Sequence, residues 1–348
     1  MHYSLRRTVQ VFVALAVLAQ SAVALDLGNR ATTKPARMAA PPPTDPERIR
    51  QGGDTILDAI LISVPAATSG STAGFTDDYD EVCPYQGSTS PDVVYLLQPA
   101  ADLVVKVDMF GSSYDTKIYV YDESLELVAC NDDYYSDYVS RIENLALNSG
   151  AEYYLVIDGY GGEAGDYVLD VAEFVPCVVD CPSSGWIRSE NEPPLVDGYQ
   201  DAHNGGCNSP EFGNPFGYID SSWYSGICGT SGWYDFDGSS VRDTDWYLVR
   251  SGPEGYIEIF AVAEQPTYVF ELAPQDCGSY AVVQSIELVP CEEGYMNVPV
   301  TADECIWMWV GPTVYEGPVN EYAYYIQFYP PPVATVNHSW SEVKALFR

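Results

Sequence analysis

Positive charge is scarce in this sequence: 15 Lys and Arg stand against 50 Asp and Glu among 348 residues. A chain so anionic disfavours nucleic acid and anionic membrane as partners, because both repel it. Histidine is equally rare, and only His203 and His338 lie beyond the first two residues. Neither the HExxH pattern of zinc hydrolases nor the GxSxG elbow of serine hydrolases occurs. Gly229-Thr-Ser-Gly232 is a partial match to a hydrolase turn and reads as a turn alone. No stretch from Gly52 to Pro330 shows a helical stripe, and after the N-terminus no apolar run reaches the ~20 residues of a spanning helix. No transmembrane anchor is therefore expected.

What is present begins with an export signal. Arg6 and Arg7 precede the apolar run VFVALAVLA, and Ala22-Val23-Ala24 offers a small-residue cleavage site. Residues 1–24 are read as a signal peptide cleaved after Ala24, and 25–51 as a Pro/Ala-rich linker. The expected location is secreted or cell-surface. In that oxidising setting the nine cysteines are expected in disulfides, and an odd number leaves one over. Cys207 and Cys228 bracket a Gly- and Asn-rich loop, where a bridge would contribute about 3 kcal/mol through loop entropy. Cys177 and Cys181 could close a local ring, while the pairing of Cys277, Cys291 and Cys305 stays open, with one of them the candidate free thiol.

From Gly52 onward short Val-, Ile- and Tyr-rich runs alternate with Gly, Asp, Ser and Pro. That texture specifies all-β structure. LVVKVDMF places Leu103, Val105, Val107 and Met109 on one face and Lys106 and Asp108 on the other; EYYLVIDGY and GDYVLDVAEF read the same way, as half-buried antiparallel strands. The runs also occur twice in order. VVYLL matches DWYLV, LVVKVDMF matches GYIEIFAV, TKIYVYD matches TYVFELA, RIENLAL matches SIELVPC, EYYLVID matches CIWMWVG, and GDYVLDVAEF matches EYAYYIQFY. The expectation is two tandem antiparallel β-sandwiches of jelly-roll type. They are placed at 52–175 and 243–330, with a Gly/Asn/Cys-rich intermodule segment at 176–242 belonging to the second, and a Pro spacer and tail at 331–348.

GGDTILDAILISVPAATSGSTAGFTDDYDEVC, SPDVVYLL, SSYDTKIYVYD, VACNDD and AEYYLVIDGYGGEAGDYVLDV, in that order from Gly52 to Glu173, resemble the bacterial pre-peptidase C-terminal domain family. The resemblance implies a secreted β-sandwich module of the kind appended to exported proteases and related to collagen-binding modules of bacterial collagenases. It also implies a Cys83–Cys130 bridge, which would staple the acidic loop TDDYDEVC to the turn after CNDD. Convergent carboxylates repel one another unless neutralised, and calcium takes oxygen ligands of this kind. The expected ligands are Asp78, Asp80, Asp115, Asn131, Asp132, Asp133 and Asp158, set against a plain Asn-Asp turn. The second half has PQDCGSYAVV where the triplet would stand, so such a site is expected in the first module alone. DFDGSSVRDTDW, residues 235–246, lacks the ligand register of an EF-hand and reads as a Gly turn before a strand. Trp340, Val343, Leu346 and Phe347 could line a short terminal helix, in a tail resembling the ends of other secreted bacterial proteins.

Tyr134, Tyr135, Tyr138 and Tyr160 fall in loops, where amphipathic rings could contact protein or sugar. The functional expectation is a non-catalytic binding or accessory module for an extracellular protein or polysaccharide, with calcium rigidifying the first sandwich. A secreted glycoside or peptide hydrolase using a carboxylate pair is the alternative, since any two of fifty acids could stand at a catalytic separation. A structural envelope component is a further one.

Overall fold

The computed structural model describes residues 52–83, 88–196, 198–253 and 255–329. The expected signal peptide, linker, and C-terminal tail with its helix lie outside the described residues. Alternating β-branched and aromatic runs between Gly and Asp turns fold into twenty strands, joined by three single-turn 3-10 helices. The protein is all-β, and no helix among the described residues is long and apolar enough to cross a membrane.

The first module contains β1 (Ile60–Ile62), β2 (Ala66–Ser71), β3 (Val93–Leu97), β4 (Leu103–Asp108), β5 (Thr116–Asp122), β6 (Leu127–Asn131), β7 (Arg141–Leu147), β8 (Tyr153–Gly159) and β9 (Asp166–Glu173). One sheet runs β1-β3-β8-β5-β6 and the other β2-β9-β4-β7. Their inner faces interdigitate through Val105, Val107, Ile118, Leu155, Leu169 and neighbours.

The second module follows as β10 (Ile187–Ser189), β11 (Gly217–Asp220), β12 (Gly226–Phe236), β13 (Ser239–Arg242), β14 (Asp245–Arg250), β15 (Tyr256–Ala263), β16 (Thr267–Ala273), β17 (Ala281–Leu288), β18 (Gly294–Pro299), β19 (Cys305–Pro312) and β20 (Asn320–Tyr329). Its sheets run β10-β12-β20-β15-β18, with β13 on β12, and β11-β14-β19-β16-β17. The segment 176–242 therefore supplies four strands to this sandwich. The strand order of each first-module sheet recurs in the second: β1-β3-β8-β5-β6 becomes β11-β14-β19-β16-β17, and β2-β9-β4-β7 becomes β12-β20-β15-β18. Even the parallel pairing of β1 with β3 is repeated by β11 with β14.

Five of the six strand equivalences read from the sequence occupy corresponding places. The sixth does not: RIENLAL forms β7, whereas SIELVPC forms β17, which stands where β6 does. Both are alternating strands near a sheet edge, and a short local pattern cannot say to which sheet such a strand belongs. The second-module counterpart of the Asn-Asp-Asp turn after β6 is thus Val289–Glu293 after β17, not the stretch 274–283.

EYYLVID also departs from the half-buried expectation. On β8, Tyr153, Leu155, Val156, Ile157 and Asp158 are all buried. The reason is a second apolar layer on the outer face of this sheet, where Val94, Tyr119, Tyr121 and Val156 are covered by Ile56, Ala59 and Tyr79. The second module is covered likewise, with Trp246, Phe270 and Trp309 beneath Phe216 and Tyr280.

Four disulfides tie these layers together. Cys83–Cys130 is present. The pairings expected from spacing elsewhere are corrected: Cys177 joins Cys291 rather than Cys181, Cys181 joins Cys228, and Cys207 joins Cys277 rather than Cys228. The segment between 177 and 228 is spread across the sandwich by its own strands, so its cysteines meet partners on other elements. Cys305 is the free thiol.

Candidate functional site

The loop after β6 is held by a polar network at its base. Arg141 Nη1 donates to Asp108 Oδ2 at 3.1 Å and to the Tyr135 hydroxyl at 3.0 Å, while its Nη2 pairs with Glu143 at 2.7 Å. Asn131 Oδ1 accepts from the Arg141 backbone at 2.9 Å and its Nδ2 donates to Asp133 O at 3.3 Å, so Asn131 closes the turn. The Ser140 hydroxyl donates to Asp132 O at 2.7 Å. This folding brings Asp115, Asp132 and Asp133 together, with one carboxylate oxygen from each within 4.8 Å of the others.

Three of the seven expected ligands thus converge. Asp78 is exposed and accepts from the Thr76 hydroxyl. Asp80 accepts from Ser88 N at 3.2 Å and lies 3.8 Å from Lys117 Nζ, a fully buried ammonium that also donates to Glu81 O at 2.9 Å. The acidic loop is drawn to Lys117 on the outer face of the sheet instead of to the triplet. Asp158, also fully buried, accepts from Ser88 Oγ at 2.8 Å, Tyr119 at 2.8 Å and Gly159 N at 2.7 Å. Burial pushes its carboxyl up to about 6 against those hydrogen bonds.

The four tyrosines separate. Tyr135 is a core residue with its hydroxyl on Asp108, which corrects its reading as a surface contact; its ring packs inward because Arg141 and Asp108 satisfy the one polar atom. Tyr134, half-buried with the Arg141 guanidinium 5.2 Å from its ring centre, lines a cleft of about 340 Å³ between the modules together with Trp233 and Glu316. Tyr138 and Tyr160 are half-buried. The Asp237-Gly238 turn, with φ of 55° and 73°, joins β12 to β13 as a tight hairpin. Gly229-Thr-Ser-Gly232 is not a turn: it lies within β12, hydrogen-bonded to β20.

Two features of the second module escaped the sequence reading. The first is an exposed aromatic ledge. Trp186 before β10, Tyr218 on β11 and Trp223 after it are 49%, 46% and 65% exposed. Hydrogen bonds to their neighbours hold the three segments in place: Ser225 N donates to Trp186 O at 2.7 Å, the Arg188 guanidinium donates to Tyr218 O, and Trp223 N donates to Asp220 O at 3.0 Å. Nothing in their spacing showed that β10 and β11 would be edge strands, which is what leaves these rings outside.

The second is a box of carboxylates, Glu190, Glu192, Asp201, Asp243 and Asp245, assembled from the segment after β10, the β13–β14 link and the first residue of β14. It forms two groups of closely spaced oxygens that share Glu192. Asp243 and Asp245 are fully buried, and Glu190 and Asp201 nearly so. Asn204 Nδ2 bridges Glu190 Oε1 and Asp245 Oδ1 at 2.6 Å each, and Thr230 N donates to Glu190 Oε2 at 2.8 Å. Gly229 permits that approach, since a Cβ there would strike Glu190 Oε2 and Tyr324. His203 turns its Nε2 to the Glu190 carbonyl at 3.2 Å. Burial first, then the neighbouring carboxylates, pushes Glu192 up to about 9 and holds Asp243 and Asp245 well above the usual range. A faint signal existed: Asp243 and Asp245 sit in the stretch dismissed as an EF-hand, but their partners lie some forty to fifty-five residues upstream.

No protein-family model and no curated protein matches the chain. Among solved structures, it is similar to the pre-peptidase C-terminal domain of collagenase from Bacillus anthracis, at 16% identity and a TM-score of 0.24, over 36% of this chain and 98% of that one. It is also similar to the CUB1-EGF-CUB2 domains of human MASP-1/3, at 10% identity and a TM-score of 0.18, over 75% of this chain and 99% of that one. Likeness at these values does not extend to function.

Proposed function

We propose that the protein is a secreted, non-catalytic binding module that holds a neutral polysaccharide on the aromatic ledge of its second sandwich. The observation that carries this reading is the exposure of Trp186, Tyr218 and Trp223 at two edge strands joined by the Arg188–Tyr218 and Ser225–Trp186 hydrogen bonds. Large rings with two side-chain torsions offer contact area at low entropic cost, and isolated exposed tryptophans are otherwise disfavoured on a soluble surface. The net charge of −35 selects against anionic glycans. Four disulfides support an oxidising compartment.

The same reading includes calcium at Asp115, Asp132 and Asp133, whose mutual repulsion a divalent ion would relieve. Calcium there is expected to raise the melting temperature, and the Asp132→Ala/Asp133→Ala variant to lose that part of the rise. For the ledge, retention on a panel of insoluble neutral polysaccharides is the test. Trp186→Ala/Trp223→Ala is expected to lose retention at least tenfold with an unchanged melting temperature, because both rings lie outside the core. If no polysaccharide retains the protein, or the double variant is retained as well as the parent, the reading fails.

A further inference from the structure

Among the described residues no cation pairs with the carboxylate box of the second module. Between residues 176 and 329 the chain has no lysine and three arginines, Arg188, Arg242 and Arg250. Arg188 donates to Tyr218 O, Arg242 to Pro312 O at 3.0 Å, and Arg250 pairs with Asp220 and Asp303. Among the described residues no ion pair reaches Glu190, Glu192, Asp201, Asp243 or Asp245. Five acids in one partly closed space would repel one another strongly if all were ionised.

The oxygens left over in the box supply the independent clue. Glu192 Oε2, Asp201 Oδ1, Asn204 Oδ1, both carboxylate oxygens of Asp243, and Asp245 Oδ2 are buried atoms without a hydrogen-bond partner. Asp243 and Asp245 are fully buried, Asn204 is 1% exposed and Asp201 3%. Orphaned buried oxygens are costly, and native proteins rarely leave one without a compensating group. Here there are six in one place, all hard donors, and calcium takes six to eight oxygens in flexible geometry. Cys181 and Cys228, which line the cleft beside Glu190 and Glu192, are locked in a disulfide, as is Cys207 with Cys277, so these thiols offer no soft ligand. Solvent can enter from two sides: Glu192 lines one surface cleft with Cys181 and Tyr324, and Asp201 lines another with Tyr199 and Glu211.

We propose that Glu190, Glu192, Asp201, Asn204, Asp243 and Asp245 form a calcium site that staples the segment 190–204 onto the start of β14. It is separate from the Asp115, Asp132 and Asp133 junction and is built from another module. Isothermal titration of calcium into the whole, EDTA-stripped protein carrying Asp132→Ala/Asp133→Ala tests it, because in that background the first junction contributes no binding. Calcium binding is expected to persist, and adding Asp243→Asn is expected to weaken it at least tenfold. Terbium luminescence excited through tyrosine gives a second readout, since the Tyr199 hydroxyl donates to Glu192. The signal is expected to survive Asp132→Ala/Asp133→Ala and to fall with Asp243→Asn. Should Asp243→Asn not fold, Glu192→Gln, at a half-buried position shared by both oxygen groups, replaces it. Absence of calcium binding in the junction variant, or equal binding with and without Asp243→Asn or Glu192→Gln, overturns the site whatever the first junction does.

Discussion

Tyr95 on β3 and Tyr167 on β9 share one hydrogen bond of 2.7 Å across the first sandwich, both rings being buried. Tyr247 on β14 and Tyr324 on β20 repeat it at the corresponding places of the second. A buried hydroxyl that loses its partner keeps its desolvation cost, whereas removing both leaves nothing to satisfy. Tyr95→Phe is therefore expected to cost roughly 1–2 kcal/mol in denaturant unfolding. Tyr95→Phe/Tyr167→Phe is expected to cost less than the two single changes added together. Asp92 offers a pH test. Fully buried, it accepts from Asp78 N and Tyr79 N on one oxygen, yet burial pushes it up to about 7, with Asp158 and Asp78 adding to the rise. Its carboxyl is thus protonated more readily in the folded than in the unfolded chain, so the folded state binds more protons between about pH 4 and 7. Stability from this group is full at the acidic end and falls as pH rises through that window. Thermal melts in calcium-free buffer are expected to show a falling melting temperature from pH 4.5 to 7.5, with a shallower fall in Asp92→Asn. A flat profile in the parent would remove Asp92 from this role. The tyrosine on VVYLL and its equivalent on DWYLV were visible in the sequence. That they face inward and meet a tyrosine on the last strand required both sheets.

At the scale of elements, strands were legible because alternation and turn residues are local properties. Their assignment to sheets was not, as β7 and β17 show: SIELVPC has the rhythm of RIENLAL and the sheet position of VACN. Disulfide partners depend on the same missing information, and so Cys207 meets Cys277 on the β16–β17 link, across the aromatic layer formed by Trp246 and Phe216. That bridge closes a 70-residue separation. On the chain-entropy model Cys207→Ser/Cys277→Ser is expected to cost about 4 kcal/mol in unfolding free energy. Tryptophan emission is expected to shift to the red as the cover over Trp246 loosens. Unchanged stability with unchanged emission would show that the loop is held by packing alone. The short strand β10 connects the two newly described features, because Trp186 precedes it and Glu190 follows it. Removing calcium with EDTA is accordingly expected to weaken polysaccharide retention several-fold, and Asp243→Asn to make retention insensitive to EDTA.

For the whole molecule, a net charge of −35 and two sandwiches of one strand order are the governing facts. The modules touch: Gln265 donates to Glu143 at 3.4 Å, Ser136 donates to Glu287, and Val289 packs against the first core. The all-β class and the duplication followed from the amino acids alone, because composition and two-residue periodicity act without reference to distant partners. The Cys83–Cys130 pairing came from a family resemblance, not from spacing. Tertiary structure alone decided where carboxylates gather. It turned Asp78 and Asp80 toward Lys117, kept Asp115, Asp132 and Asp133 together, and drew Glu190, Glu192 and Asp201 onto Asp243 and Asp245. It also chose which aromatics stay outside, placing Tyr135 in the core and Trp186 and Trp223 on the rim. The physical reason is the same in each case: burial and electrostatic energy depend on separations through space, and the strand pairings that set those separations join residues far apart along the chain.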